Sequence, residues 1–371
     1  MSRDDRRRVL VLDGAKRRFR QVAPAFADSC DFRTVDAVDA APGSGPDLLR
    51  EVAAAMQRED FTHVVATSES NMLKAAFIRS SFGLPGPGFE EILPVTDKWR
   101  MKQVVRGRVP AARGWSSSTV AAGRAELPGR VVVKPTLSSS ARGVELLDAA
   151  AAVRRMRQEH SMWLVEEVVA VRRELHCDGV LRAGRVVWSC VSAYDRPVIE
   201  ATGSRGSLHL APDDPLAAAA DVVVRQAFDA LPVRDGVFHL ELFVDAAGNM
   251  IFGEVALRPA GGGVATSIGS VTGVDLWEHF VAAQVGIDRP APTGGVPPGR
   301  WAGVLMIRQD SAYGPDEVAA LPGVVRLEAG NMRAGSAAAH SCDCSHYVYF
   351  DAGSRADFDR ITDAVGGVRF S

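Results

Sequence analysis

Val237-Phe-His-Leu-Glu-Leu-Phe-Val-Asp-Ala-Ala-Gly-Asn-Met-Ile-Phe-Gly-Glu-Val-Ala-Leu-Arg-Pro-Ala-Gly-Gly-Gly263 is the stretch whose reading decides the fold. Phe238, Leu240, Leu242 and Val244 alternate with Val237, His239, Glu241 and Phe243, the period-two signature of a strand with two unlike faces. Asp245 to Asn249 carries turn chemistry, and Met250 to Leu257 reads as the returning strand. If Val244 pairs with Ile251, Glu241 stands opposite Glu254 on one face. Cross-strand neighbours lie roughly 5 Å apart at Cβ, where like charges repel. Two carboxylates so placed ask for a proton or a cation between them. Hard cations such as magnesium take oxygen ligands, often carboxylates plus substrate phosphates. Arg258 follows Glu254 by four residues, just before a Pro-Ala-Gly-Gly-Gly turn where bare backbone can approach a ligand. A surface hairpin with two solvated glutamates is the plainer alternative.

The rest of the chain sets the bounds. Its 371 residues suffice for two or three domains with substantial cores. A hydrophobic content of 47% and a charged content of 24% are those of an ordinary globular protein. A net charge of −2 leaves no electrostatic footprint for nucleic acid. The basic residues Arg6, Arg7, Arg8, Lys16, Arg17 and Arg18 have no apolar segment after them, so they are not read as a signal peptide. No apolar run approaches the roughly 18 residues of a membrane span. Five irregularly spaced cysteines predict reduced thiols and a cytoplasmic location.

Taken in order, Val9 to Leu12 is a short buried-type strand, with a helix near Phe19 to Ala27 and a strand around Phe32 to Val38. Asp47 caps a helix through Met56, and Thr62 to Thr67 is a third strand. This β-α-β-α-β order predicts a small parallel sheet with helices on its faces. No G-x-G-x-x-G follows the first strand, which argues against dinucleotide binding. Glu69 stands just past the third strand, where open α/β sheets place ligand-binding loops, and is a candidate substrate contact. A position in the first turn of the next helix is its structural alternative. Gly83-Leu-Pro-Gly-Pro-Gly is a break, with a domain boundary near residue 93.

Asp97-Lys98 opens a capped helix with an exposed lysine, and Gly129 to Pro135 is a strand with Lys134 at its end. The loop that follows, Ser138-Ser139-Ser140-Ala141-Arg142-Gly143, offers hydroxyls, backbone N–H groups and one positive charge to a phosphate. It is not a Walker A loop. Trp163 to Val169 reads as a strand with two acidic residues, and an edge strand over Leu164 to Val168 would present backbone to an adenine. Glu174 is placed to hold ribose hydroxyls. His209 falls in a loop before an Ala-rich helix over Leu216 to Ala230 and is more readily structural than catalytic.

The ordered set Asp97-Lys98, Val133-Lys134-Pro135, the Ser138 to Gly143 loop, Val165-Glu166-Glu167, Glu174, Glu241 and Glu254-x-x-x-Arg258 resembles the ATP-grasp superfamily over roughly residues 9 to 290. Thr67-Ser-Glu, Gly83-Leu-Pro-Gly and Arg258-Pro-x-Gly-Gly look most like its carboxylate–amine ligases, the dipeptide-forming L-amino-acid ligases. The resemblance implies an α/β (α+β) ATP-grasp fold: a Rossmann-like parallel domain over 1–93, a mobile lid over 94–165, a large antiparallel-sheet domain over 166–290, and a C-terminal unit over 291–371 that completes it.

It also implies roles. Lys98 and Lys134 would contact the phosphates of ATP, as would Ser138, Ser139, Ser140, Arg142 and Gly143. Glu166, Glu167 and Val169 would line the adenine site and Glu174 the ribose. Glu241 and Glu254 would hold one or two magnesium ions, or manganese in their stead. Arg258, with Lys134, would serve the phosphoryl transfer. Glu69 and His209 would converge with Arg258 on amino-acid substrates, a carboxylate and an amine. One departure is plain: the family often has Asn two residues after the second metal glutamate, and here that position is Ala256. The implied reaction makes an acyl phosphate from ATP and a carboxylate, then an amide, with ADP and phosphate released. Nucleic acid and membrane are not expected partners, and a homodimer is compatible with the reading. Another carboxylase or purine-type ligase, or a nucleotide-binding module without chemistry, are the competing readings.

His340-Ser-Cys-Asp-Cys-Ser-His346 invites a metal reading. In an extended chain its two histidines stand about 20 Å apart. One zinc needs ligands within about 2.3 Å, so metal binding is not expected there.

Overall fold

The computed structural model describes residues 6–13, 16–36, 38, 45–139, 141–159, 161–200, 203–308, 314–332, 343–366 and 368–370. Three sheets organise them. The first is parallel, in the order β2-β1-β3, from β1 (Arg7–Leu12), β2 (Cys30–Thr34) and β3 (His63–Ala66). The run Val9-Leu10-Val11-Leu12 is sealed on both faces, as a central parallel strand requires. The second strand lies earlier than Phe32 to Val38. The first helix stops at Val22, where Pro24 breaks it into a 3₁₀ turn over Ala23–Phe26.

The second sheet, β4-β7-β5-β6, joins β4 (Gly114–Ser116), β5 (Arg130–Pro135), β6 (Glu145–Asp148) and β7 (Trp163–Glu167), all antiparallel. Helices Ser117–Ala121 and Ala149–Gln158 cover one face through Val120, Ala152 and Met156. The strand over Leu164 to Val168 is thus interior, flanked by β4 and β5, and not an edge. An acid such as Glu166 is tolerated inside a sheet when a cation meets it.

The third sheet has eight antiparallel strands in the order β12-β11-β8-β9-β10-β13-β15-β14. They are β8 (Val171–Arg182), β9 (Arg185–Tyr194), β10 (Arg205–His209), β11 (Gly236–Asp245), β12 (Met250–Ala256), β13 (Trp301–Ile307), β14 (Val324–Ala329) and β15 (His346–Ala352). Phe238, Leu240 and Leu242 are fully buried in the main core, which also holds Phe228 of helix Pro215–Ala230 and Phe280 of helix Leu276–Val285. The rings of Phe228 and Phe238 meet at 4.5 Å between centroids. Truncating a buried phenylalanine of this kind costs about 3–5 kcal/mol. The opposite face of the same strand carries His239, Glu241 and Phe243 toward a cavity. The alternation seen in the sequence therefore separates core from site.

The parallel domain is bolted to the large one. Arg79, fully buried on helix Glu69–Phe82, donates to the carbonyl of Val64 and to Gln284 Oε1. Gln284 in turn accepts from the Ala66 N–H and donates to the Ala66 carbonyl. Glu69, three residues after Ala66, is thereby held against the large sheet. Among the described residues no helix is long and apolar enough to cross a membrane, and the four described cysteines are free and buried. Within the run from His340 to His346, residues 340–342 lie outside the described set; Cys344 is buried and His346 opens β15.

Candidate active site

The carboxylate pair forms by an unexpected register. Val244 pairs with Met250, not with Ile251, and an uninterrupted ladder from there would set Glu241 against Gly253. A bulge between Glu241 and Leu242 takes up Gly253 as the extra residue and brings Glu254 opposite Glu241. A Cβ on Gly253 would lie 2.9 Å from the Glu241 carbonyl oxygen, so the close approach needs glycine.

A cavity of about 370 Å³ opens between the second and third sheets. Glu69, Lys98, Lys134, Ser138, Ser139, Glu166, Glu167, Val169, Glu174, Glu241, Glu254 and Arg258 all line it. Gly262, with φ of 59°, stands at its wall beside Met306 and supplies the bare backbone anticipated after Arg258. Arg142 and Gly143 do not line the cavity. Arg142 folds back onto Ser139, donating to its carbonyl and its Oγ. Ser140 lies outside the described residues.

Lys98 is buried, contrary to the exposed helix-start lysine expected from the sequence. Asp97 caps its helix by accepting from the Arg100 N–H, which turns Lys98 inward. Its ammonium donates to the Ser138 carbonyl at 2.6 Å and lies 3.2 Å from Glu254 Oε2. One cation thus ties the serine loop to the carboxylate pair.

Lys134 and Lys102 grip Glu166 from two sides, at 2.5 and 3.1 Å. Burial would push the Glu166 carboxyl up, but the two lysines hold it below its ordinary range. Burial draws the Lys102 ammonium down, a shift that Glu166 offsets only in part. Lys134 also feels Glu254 and Glu241, and these acids overcome burial to hold it above its usual value. The Glu166 side chain is engaged by the two lysines. Glu167 turns outward to Arg113 at 2.9 Å. Just past β7, Val168 and Val169 line the cavity beside them. Lys102 went unnoticed in the sequence, although its spacing of four from Lys98 puts both on one helix face.

Glu174 accepts a hydrogen bond from the Val198 N–H at 2.7 Å. Burial and the nearby Glu241 push its carboxyl up to about 8. Beneath Glu241 runs a buried polar chain. His239 Nε2 lies 3.6 Å from Glu241, His239 Nδ1 3.0 Å from Asp178, and His176 Nδ1 2.6 Å from Asp178, while His176 Nε2 meets Ser207 Oγ at 2.7 Å. Burial opposes the charge on His239, yet Asp178 and Glu241 hold it up at about 10. The ligand atoms of His176, Asp178 and His239 fall within 4.8 Å of one another, a metal-like cluster. Both oxygens of Asp178 are already hydrogen-bonded to imidazoles, which accounts for the cluster without an ion.

Glu69 and Arg258 pair with each other in the cavity wall. Glu69 Oε2 accepts from Arg258 Nε at 2.9 Å and from Nη2 at 2.5 Å. His209 does not join them. It ends strand β10 rather than sitting in a loop, its ring nitrogens engage Ser192 and Ser267 at 2.8 Å each, and it lines no part of the cavity. Burial pushes it down to about 3, as befits a neutral packed ring.

Comparison with known proteins agrees with this geometry. The ATP-grasp domain family matches residues 115–273. An L-arginine-specific L-amino acid ligase of Bacillus subtilis is 30% identical over 241 residues, 61% of this chain and 58% of that enzyme, so the chain matches little more than half of its relative's length. The crystal structure of an L-amino acid ligase from Bacillus licheniformis superposes with a TM-score of 0.75 at 16% identity, covering 99% of both chains. A carboxyaminoimidazole ribonucleotide synthase from Aspergillus clavatus, solved with ATP, gives 0.68 at 16% identity over 98% of this chain and all of that one. At such identities these two structures attest the fold. The family match thus assigns an ATP-grasp domain to residues 115–273, and the fold of the chain is that of the two solved structures.

Proposed function

We propose that the protein is an ATP-dependent carboxylate–amine ligase that joins amino-acid-like substrates through an acyl phosphate and releases ADP and phosphate. The observation that carries the reading is the convergence of Lys98, Lys134, Glu241, Glu254 and Arg258 on one cavity, with Glu69 of the parallel domain in its wall. The Bacillus subtilis relative, named as an L-amino acid ligase, supports the amide-forming branch. Domains over 1–93, 94–165, 166–290 and 291–371 belong to the same reading, with the second sheet as the lid over ATP.

The residues present fit a divalent cation. Glu241 and Glu254 are acceptor-only groups directly opposite each other, each only partly neutralised by a neighbouring cation. They would hold magnesium, and Ala256 leaves its third protein ligand to water. When bound, the ion would neutralise charge on the phosphates and polarise the transferring group.

The chain's own groups account for the rest. Lys98 and Lys134 are placed to neutralise phosphate oxygens, at the cost of loosening their hold on Glu254 and Glu166. A substrate carboxylate oxygen attacks the γ-phosphorus, the bond to the β-phosphate bridging oxygen breaks, and ADP leaves. Arg258 presents a planar fork to the anion in flight. The amine nitrogen then attacks the acyl carbon, phosphate departs, and the amine proton passes to solvent. Closure of the second sheet over the cavity would keep water from the acyl phosphate. Glu69, freed from Arg258, would receive a substrate ammonium.

The test is release of ADP and phosphate across a grid of the twenty common amino acids, with hydroxylamine trapping the activated acid as a hydroxamate. AMP as the main product would sink the assignment. Phosphate release that needs bicarbonate and an aminoimidazole-type amine would favour the carboxylase reading suggested by the purine-type fold neighbours.

A further inference from the structure

The ion pairs at the cavity leave one buried cation unused. Arg205, on β10, is 3% exposed and lines the cavity. Its Nε is buried and has no hydrogen-bond partner. Its guanidinium lies 4.8 Å over the ring of Tyr194, which also lines the cavity. The two nearest acids are engaged elsewhere. Glu174 accepts from the Val198 N–H, and Asp195 accepts from the Gly206 N–H and faces Arg196. Neither forms an ion pair with Arg205 among the described residues.

A buried guanidinium with no acid in ion-pair contact is compensated only in part, here by the more distant charges of Glu174 and Asp195. Proteins keep such a group where a ligand completes it, and a planar fork with five donors is shaped for a carboxylate. Its place in the sheet narrows the choice. From β11, which carries Glu241, the order runs through β8 and β9 to β10, three strand spacings or about 14 Å between backbones. The group transferred at the carboxylate pair is therefore held by other residues, and Arg205 is left for a second anionic group. In a ligation of two amino acids one carboxylate is consumed, while the carboxylate of the amine partner survives into the product. That surviving group needs a receptor throughout the cycle.

We propose that Arg205 binds the α-carboxylate of the amine substrate, so that the acceptor is a free amino acid and the product keeps a free C-terminal carboxylate. The assignment rests on the ligase reading above. With its carboxylate held against Arg205 and Tyr194, the acceptor can point its amine back toward the acyl carbon at the carboxylate pair.

The experiment compares wild type, Arg205→Met and Arg205→Lys on three amines. These are the best acceptor found in a grid of the twenty amino acids, the same compound as its carboxamide, and hydroxylamine. Wild type should prefer the free acid form over the carboxamide by about 10²-fold in kcat/KM, the scale of a buried charge-paired contact. Arg205→Met should abolish the preference by losing activity only on the free acid form. Arg205→Lys should retain part of it, since the charge remains without the fork. Hydroxamate formation and MgADP affinity should match wild type in both variants, which also shows that they fold. Equal losses on both amino-acid forms, a fall in hydroxamate rate, or weakened MgADP binding would each overturn the assignment. Absence of hydroxamate from wild type with every acid would instead overturn the ligase reading, and this inference with it.

Discussion

Glu166→Gln is the substitution for which the structure makes the strongest demand. The carboxylate is 4% exposed and stands between the ammonium groups of Lys134 at 2.5 Å and Lys102 at 3.1 Å. Glutamine keeps its size and removes its charge, which strands two like charges in a closed space. Removing one partner of a buried ion pair costs about 3–5 kcal/mol. An independent bound comes from the lysines. Either can escape by shedding its proton, which at pH 7.5 costs ~4 kcal/mol for a group with an ordinary pKa of about 10.4. The two figures agree, so a loss of ~4 kcal/mol is expected. It should be read by urea unfolding and by hydrogen exchange of the β5 and β7 amides, where Lys134 and Glu166 are anchored. Glu167→Gln is the control: its partner Arg113 is well exposed, and the change should cost at most about 1 kcal/mol. A non-hydrolysable ATP analogue should stabilise Glu166→Gln more than wild type, because phosphates return the missing negative charge to the lysines. If the two variants unfold at the same urea concentration, the lysine–glutamate cluster does not stabilise the fold.

Further outcomes follow from single contacts. Arg258→Lys should keep MgADP affinity while kcat falls by about 10²-fold or more, the scale for one preorganised donor; unaltered turnover in a folded protein would falsify its catalytic role. Glu69→Gln should raise the amino-acid KM more than the ATP KM; if neither moves, the pairing with Arg258 is structural only. His209 is held down at about 3 when folded, against an unfolded value near 6.5, so the unfolded chain binds the extra proton. Its contribution is therefore complete above pH 6.5 and is lost as pH falls toward 3, about 2 kcal/mol between pH 7.5 and 5. His209→Gln should flatten that part of the urea-stability profile, and an unchanged slope would count against a neutral buried ring. Amides of Ser138, Ser139, Arg142 and Gly143 should gain exchange protection with an ATP analogue, and no gain would remove the loop from the phosphate site.

The sequence made the architecture legible wherever a single strand face or helix cap carried the signal. Val9 to Leu12, the hairpin around Asp245 to Asn249 and the Ala-rich helix were each visible because period and turn chemistry are local. The position of β7 was not local. Whether Leu164 to Glu167 lies at an edge depends on β4, a strand of three residues too short to register as a periodic signal. His209 was misplaced for a similar reason: it reads as a loop residue until β9 and β13 close on both sides of β10.

The site shows why residue types were easier to read than partners. Charged groups destined for a buried cavity must be paired until the ligand arrives, and those pairings join elements far apart in sequence. Lys98 reaches Ser138 and Glu254, Lys134 reaches Glu166, and Arg258 reaches Glu69 across 189 positions. A sequence reading that assigns each residue to a future ligand omits these resting contacts, since no local pattern encodes them. The carboxylate pair makes the same point in reverse. The Val244–Ile251 register was wrong, yet it placed Glu241 against Glu254, because the bulge at Gly253 supplies the one-residue shift that the assumed pairing had already made. Opposed carboxylates are a constraint on the chemistry, and the backbone has yielded by one residue to satisfy it.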